Sequence, residues 1–292
     1  MDVRVKAAWI SVFSNTFLTV GKLIIGLMIG SISVISEAIH SGNDLLASFI
    51  ALFSVKTSTK PPDTEHPYGH GKIENISGTI EALLIFVAAI MIITEAIKKI
   101  LHGGEPIDTG WGIVIMGIAA MINFAISTYL LKVGRENHSV ALEADGMHLR
   151  TDVYTSLGVF IGLILIKITG EHLIDPIAAM LVAVIIIKAA YDLTKKAFMP
   201  LLDAAIAPDN LRLIELILDE YNENFIEYHE LRTRQAGRDS YIDLHLVISP
   251  HNSIQEAHDL CDAIEARIES TIVHSHVMIH VEPAEMPCPD NK

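Results

Sequence analysis

Six stretches of this chain are each about 20 residues long and almost wholly apolar, the length that a helix needs to cross a bilayer. They lie near residues 7–30, 33–55, 79–101, 111–132, 146–168 and 173–194. In lipid, every backbone N–H and C=O of a spanning segment must find its partner inside the protein, which restricts such a segment to helices and closed barrels. The pattern predicts an α-helical membrane protein with six transmembrane helices. Across the 292 residues, 51% are hydrophobic, and the long runs lie almost entirely before residue 200. The fourth span, WGIVIMGIAAMINFAISTYLL, carries no charge. The short link GSIS makes the first two spans a tight helical hairpin, HGGEPIDTGWG separates the third from the fourth, and TGEHLIDP joins the fifth to the sixth.

Residues 1–199 thus form a transmembrane domain, and residues 200–292 read as a soluble one. Charge divides at the same place. Residues 200–292 hold 18 Asp and Glu against 6 Lys and Arg, a net of −12 out of −14 for the whole chain, with seven of the fourteen histidines. Nucleic-acid phosphates need a basic surface, so this domain is not expected to bind nucleic acid. An acidic, histidine-rich surface suits cations. Orientation follows from Lys and Arg in short loops. With the N-terminus inside, Arg4, Lys6, Lys56, Lys60, Lys72, Lys132, Arg135, Lys195 and Lys196 fall on the cytoplasmic side, and Lys98, Lys99 and Lys167 fall outside. This predicts a multi-pass protein of the cell membrane, inner or plasma, with both termini cytoplasmic. Two cysteines, Cys261 and Cys288, make no disulfide framework and suit a reducing compartment. No cleavable signal peptide is evident.

The soluble domain reads as helix, strand, strand, helix, strand. Pro208 and Asp209 open a helix over 208–224, and residues 226–235 and 239–249 alternate as a hairpin around Gly237–Arg238–Asp239. Ser253 with Glu256 three residues on forms a capping box for a helix over 253–270, and IVHSHVMIHVE is a final strand over 272–282. The order αββαβ defines a small, ferredoxin- or metallochaperone-like α+β domain.

The chemistry concentrates in three constellations. Spans two and five each carry His-x-x-x-Asp: His40 with Asp44, and His148 with Asp152. A spacing of four places both side chains on one helix face. Ionisable residues in apolar spans are costly, about 2.5–3.5 kcal/mol for a central Asp, and mark function by default. Two imidazoles and two carboxylates make a four-coordinate shell suited to a divalent metal, zinc first. Pairing of Asp152 or Asp145 with Arg150 is the structural alternative. After span two, PPDTEHPYGHGKIE sets Asp63, His66 and His70 on a bend shaped by prolines and glycines, with Glu65 nearby; these could converge on one ion or remain solvated. The soluble domain offers His229, His245, His258, His280 and Glu282, with His280 and Glu282 two apart on one strand face. His251, His274 and His276 read as surface decoration, and Glu37, Glu81 and Glu95 as snorkelling or cavity-lining acids. No phosphate-binding loop, Gly-x-Ser-x-Gly or His-Glu-x-x-His is present, and the chain is not expected to be an enzyme. A metal-gated channel or membrane-anchored metal sensor is the competing reading. An intramembrane metallohydrolase is a third, disfavoured because a full shell leaves no open coordination position.

Together, the six spans, the paired His-x-x-x-Asp motifs, DTEHPYGHGKIE and the αββαβ tail ending in HVMIHVEP resemble the cation diffusion facilitators over nearly the whole chain. The resemblance implies a homodimer that exports Zn²⁺ or a similar divalent ion from the cytoplasm in exchange for protons. It implies no prosthetic group, with Zn²⁺ as substrate and as structural or regulatory ion, and Cd²⁺, Co²⁺, Fe²⁺ and Mn²⁺ as alternatives. The transport site would be His40, Asp44, His148 and Asp152, and the loop site Asp63, His66 and His70. The regulatory cytoplasmic sites would use His229, His245, His258 and His280, with Glu282 where a zinc-transporting bacterial member has Asp. Lys72 and Asp203 match a salt bridge that links the membrane and cytoplasmic parts.

Overall fold

The computed structural model describes residues 1–30, 32–102, 111–169 and 173–284. Six long helices come first: α1 (Val3–Ile29), α2 (Ile32–Ser58), α3 (Lys72–His102), α4 (Trp111–Glu136), α5 (Val140–Thr169) and α6 (Ile174–Phe198). A short 3₁₀ turn (Met199–Leu202) follows, then α7 (Pro208–Glu220), β1 (Glu227–Ala236), β2 (Asp239–Ile248), α8 (Ile254–Thr271) and β3 (Ser275–Pro283). The chain divides into two compact units, Met1–Phe198 and Met199–Lys292. Among the described residues, five helices are long and apolar enough to cross a membrane, and α5 is absent from that set. At 30 residues α5 is as long as the others. Its first half carries Glu143, Asp145, Arg150 and Asp152, of which Asp145 is wholly buried and Glu143 nearly so. Large apolar side chains such as Phe13, Phe17, Phe53, Met91 and Met121 stand on the outside, as a lipid-facing surface requires.

The dominant helix pairs of the first unit are α1 with α2, α3 with α6, and α4 with α5. Helices in lipid gain from close approach at small residues. Gly146 supplies that approach for α5: a Cβ there would meet Leu131 Cγ at 3.0 Å and Leu130 Cβ at 3.1 Å on α4. The contact sets the rotation of α5 on either side of Asp145 and His148. One buried cluster joins α1, α2, α4 and α5 through Ala8, Leu52, Leu130 and Leu149. A second joins α3, α5 and α6 through Ala82, Ala144 and Ile186. At one end of the bundle, the Arg4 guanidinium donates to Glu74 Oε1 at 2.8 Å, with both side chains almost wholly buried. Ser58 donates to the same oxygen at 2.5 Å, and Ser139 hydrogen-bonds the other. Four elements are thereby tied at the end where Asp2 caps α1.

In the second unit, α7 and α8 cover one face of a three-stranded sheet of order β1-β2-β3. β1 and β2 are antiparallel, and β2 runs parallel to β3 through the α8 crossover. Ile242, Leu244, Leu246 and Ile248 alternate into the core against Ile214, Leu218, Ile264 and Ile268. Gly237, with φ of 62°, takes the first position of the β1–β2 turn, where a side chain would be strained. The capping box forms: Ser253 Oγ accepts from the Glu256 backbone N–H at 3.2 Å, and Glu256 accepts from the Ser253 backbone N–H at 2.7 Å. The strand expected from residue 272 begins at Ser275, because Ile272 to His274 close the helix and turn. The first helix of this unit ends at Glu220 rather than 224, with a turn over the polar residues that follow. Cys261 is a buried free thiol that burial pushes above its ordinary pKa. Cys288 and the link over 103–110 lie outside the described residues.

Candidate metal centres

The two His-x-x-x-Asp motifs meet between α2 and α5. His40 Nε2 is 3.8 Å from Asp152 Oδ1, and His148 Nε2 is 3.2 Å from Asp44 Oδ1. Each histidine therefore faces the aspartate of the other helix, as two helices of opposite direction demand. His40, Asp44 and Asp152 each present a ligand atom within 4.8 Å of the other two. His148 reaches the group through Asp44. Asp152 Oδ2 is buried without a hydrogen-bond partner among the described residues. A buried carboxylate oxygen left so is uncommon and calls for a partner.

A cavity of about 220 Å³ adjoins this cluster, lined by Lys22, Glu37, His40, Asp44, Asn123, Asp152 and Ser156 among others. It extends from the ligands toward the α1–α2 hairpin end. Lys22 Nζ lies 3.3 Å from Glu37 Oε2 and donates to Ser41 Oγ at 2.8 Å. Glu37 thus lines a cavity, one of the two roles its sequence position suggested, and Lys22 is a cavity group that the sequence did not single out. Arg150, the expected rival partner for the aspartates, turns away: it donates to Thr128 Oγ1 at 2.7 Å and lies 4.6 Å above the Phe124 ring. Of the two roles expected for Glu81, snorkelling or cavity lining, snorkelling does not hold, because Glu81 is fully buried in α3.

The loop cluster forms a compact chelate. Asp63 Oδ1 accepts the backbone N–H groups of Glu65 and His66 at 3.0 and 2.7 Å. The His66 backbone N–H is the main reason that the Asp63 carboxyl lies below its ordinary pKa. His66 Nδ1 is 3.2 Å from one oxygen of Asp63, and His70 Nε2 is 3.3 Å from the other. The imidazoles face each other with centroids 4.5 Å apart. Three ligand atoms within 4.8 Å, two nitrogens and one oxygen, fit a zinc-type ion. Glu65 enters through its backbone, not its carboxylate.

The third cluster is built by strand register. His229 pairs with His245 across β1–β2, and His245 pairs with His280 across β2–β3. The three imidazoles form a row over the sheet face opposite the core, with centroids 5.2 and 4.8 Å apart. Glu282 serves the row: its carboxylate lies 2.9 Å from His245 Nδ1, 3.6 Å from His229 Nε2 and 3.7 Å from His280 Nε2. His229, His245 and Glu282 meet the same 4.8 Å criterion. A bulge between His229 and Arg232 gives Glu230 a positive φ of 51° and carries its carboxylate to 3.8 Å from His245 Nε2. Glu230 also pairs with Arg232. His258 is not brought to this row: it sits on α8, exposed, 3.5 Å from Asp262.

The geometry brings one metal-type cluster together inside the apolar bundle and two more outside it. Residues 8–202 match the model of the cation efflux transmembrane domain, and residues 206–284 match that of the cation efflux protein, cytoplasmic domain. The chain belongs to the cation efflux, or cation diffusion facilitator, family. It is 35% identical to the uncharacterized transporter sll1263 of Synechocystis sp. over 88% of this chain and 83% of the relative. It is 32% identical to the uncharacterized transporter MJ0449 of Methanocaldococcus jannaschii over 95% of this chain and 97% of that one. The cation-efflux pump FieF of Shewanella oneidensis is 28% identical over 93% of this chain and 90% of its own length. The chain is therefore a multi-pass membrane transporter of divalent metal cations, with a cytoplasmic dimerisation domain, in a family of transporters rather than enzymes.

Proposed function

We propose that this protein exports Zn²⁺ from the cytoplasm in exchange for protons, as a homodimer in the cell membrane with both chain termini cytoplasmic. The observation that carries this reading is the ligand set at the α2–α5 crossing: two imidazoles and two carboxylates, with one carboxylate oxygen unpartnered. Two nitrogens and two oxygens suit zinc over harder ions, which prefer oxygen alone. Cd²⁺ and Co²⁺ fit the same donors, and Fe²⁺ and Mn²⁺ fit them less well.

Proton exchange follows from the same atoms. A metal ion needs neutral imidazole and ionised carboxylate, so its binding releases protons and protonation of the ligands releases it. The cavity on the α1–α2 side gives protons a wet path to the ligands. At the other end, the Arg4–Glu74 pair with Ser58 and Ser139 closes the bundle. Alternation between this arrangement and its opposite would couple the two fluxes. The loop trio Asp63, His66 and His70 is a structural ion site in this reading. The His229–His245–His280 row with Glu282 is a regulatory one, and His258, on another element, serves a separate or dimer-shared role.

The test is simultaneous measurement of internal pH and internal zinc in liposomes holding the purified protein. Zinc uptake should drive proton efflux, and the ratio of the two should be fixed. Zinc flux that leaves internal pH unchanged would reduce the protein to a metal-gated channel or sensor.

A further inference from the structure

The polar seam does not stop at the four-ligand cluster. On α2, His40, Asp44 and Ser48 follow one another at intervals of four, and on α5 so do Asp152, His148 and, three residues earlier, Asp145. Three rungs result: His40 with Asp152, Asp44 with His148, and Ser48 with Asp145, whose Oδ1 accepts from Ser48 Oγ at 3.1 Å. α1 supports the third rung. Asn15 Nδ2 donates to Ser48 Oγ at 2.5 Å, and Ser11 Oγ lies 3.0 Å from the same atom. α3 adds Glu81. Its neighbour Ala82 and Asp145's neighbour Ala144 share one buried cluster, and the two carboxylates interact electrostatically.

Glu81 and Asp145 are both 0% exposed. Neither oxygen of Glu81, nor Oδ2 of Asp145, has a hydrogen-bond partner among the described residues. Buried carboxylate oxygens are costly unless a positive charge meets them. The contrast with Glu74 is informative. Glu74 lies seven residues earlier on the same helix and is equally buried, yet Arg4, Ser58 and Ser139 all bond its carboxylate. Glu74 is satisfied as a structural acid is. Glu81 and Asp145 are left open and interact electrostatically; Glu81 lies two turns along α3 from Glu74, and Asp145 lies on α5 between Ser139 at the closure and His148 of the four-ligand cluster.

We propose that Glu81 and Asp145 form a second cation stop within the bundle. It would take a divalent metal cation from the cytoplasmic side before the ion reaches His40, Asp44, His148 and Asp152. The proposal rests on the transport reading above. The stop offers oxygen only: three unpartnered carboxylate oxygens, with the Ser48 and Ser11 hydroxyls close by. Oxygen donors accept a partly hydrated ion without selecting for zinc, whereas the next rung supplies imidazole. The ion would thus lose its water in two stages, first to carboxylates and then to the mixed shell that discriminates.

The experiment compares wild type, Glu81→Gln and Glu81→Asp in liposomes, with Zn²⁺ or Mn²⁺ supplied at the cytoplasmic face. The wild-type arm establishes transport; a wild type without flux would sink the transport reading itself, separately from this proposal. Given wild-type flux, Glu81→Gln should raise the half-saturating metal concentration at least tenfold, about 1.4 kcal/mol of binding. The maximum rate and the protons exchanged per ion should be unchanged. Glu81→Asp should retain most of the affinity, and the loss in Glu81→Gln should be larger for Mn²⁺ than for Zn²⁺. An unchanged half-saturation with fewer protons per ion would make the carboxylate a proton carrier and overturn the proposal. Unchanged behaviour in every respect would overturn it too. So would failure of Glu81→Gln to assemble, because neutralising an unpaired buried carboxylate should not cost folding unless that charge is structural.

Discussion

Replacing His245 by Ala should abolish zinc stabilisation of the C-terminal unit. His245 is the middle of the imidazole row, flanked by His229 and His280, and it makes the shortest contact to Glu282, at 2.9 Å. Its loss removes one ligand and separates the remaining two. Zinc held by the native fold alone stabilises it by RT ln(1 + [L]/Kd), about 2.7 kcal/mol at a hundredfold excess over Kd. For a unit of this size, 1 kcal/mol moves Tm by roughly 4–8 °C, so the wild-type shift should be on the order of 10–20 °C. If His245→Ala weakens binding about a hundredfold, the same zinc concentration equals the new Kd and leaves only about 0.4 kcal/mol, a shift of roughly 2–3 °C. Without zinc the variant should melt close to wild type, since His245 lies on the sheet face opposite the core. The assay is thermal melting of residues 199–292 with and without Zn²⁺ at pH 7.5 and 5.5. The shift should fade at the lower pH, where protons compete with the metal for the imidazole nitrogens. The net of −12 over residues 200–292 adds a second readout, since bound cations should draw two copies together and raise the dimer fraction. A zinc shift that survives His245→Ala, or is the same at both pH values, would refute the row as the binding site.

Three further outcomes follow from particular contacts. His40→Asn combined with His148→Asp should move transport preference from Zn²⁺ toward Mn²⁺ in a competition assay, because the shell becomes oxygen-rich. Gly146→Leu should lose transport, since a Cβ there already meets Leu131 and Leu130 on α4 at 3.0 and 3.1 Å; wild-type flux would show that the α5 rotation does not matter. At the loop, Asp63 has a lowered pKa in the fold and so stabilises the loop above its unfolded pKa, a contribution lost only as pH falls through the folded value. Asp63 should therefore stay ionised between pH 7.5 and 5, so any loss of zinc from this loop over that range, followed by isothermal titration, should come from protons competing for the histidine nitrogens.

The reach of the sequence differs from residue to residue. Six spans are legible because length and hydropathy decide insertion, and the pairing of α2 with α5 is legible because both carry His and Asp at the same spacing. The meeting of His40 with Asp152, and of His148 with Asp44, follows from two antiparallel helices bearing one motif. Glu81 was not legible: a lone acid in an apolar span looks like a snorkelling end until the opposing helix is known. The imidazole row depends on strand register, which alternation within single strands does not fix. Glu230 depends on a bulge with positive φ that the run EYHELRTRQA does not announce. His258 enters the cytoplasmic set through the family resemblance, and α8 carries it away from the row.

The central claim is that the four side chains at the α2–α5 crossing carry the ion. Radiolabelled zinc uptake into liposomes with an imposed pH gradient tests it most directly, with wild type beside Asp152→Ala. Asp152 reaches His40 and keeps one buried oxygen unpartnered, so its removal should leave the fold and the C-terminal clusters in place while breaking the shell. Wild type should accumulate zinc against its gradient, and Asp152→Ala should take up none above empty liposomes while eluting as the same dimer. Uphill accumulation by Asp152→Ala at the wild-type rate would contradict the account.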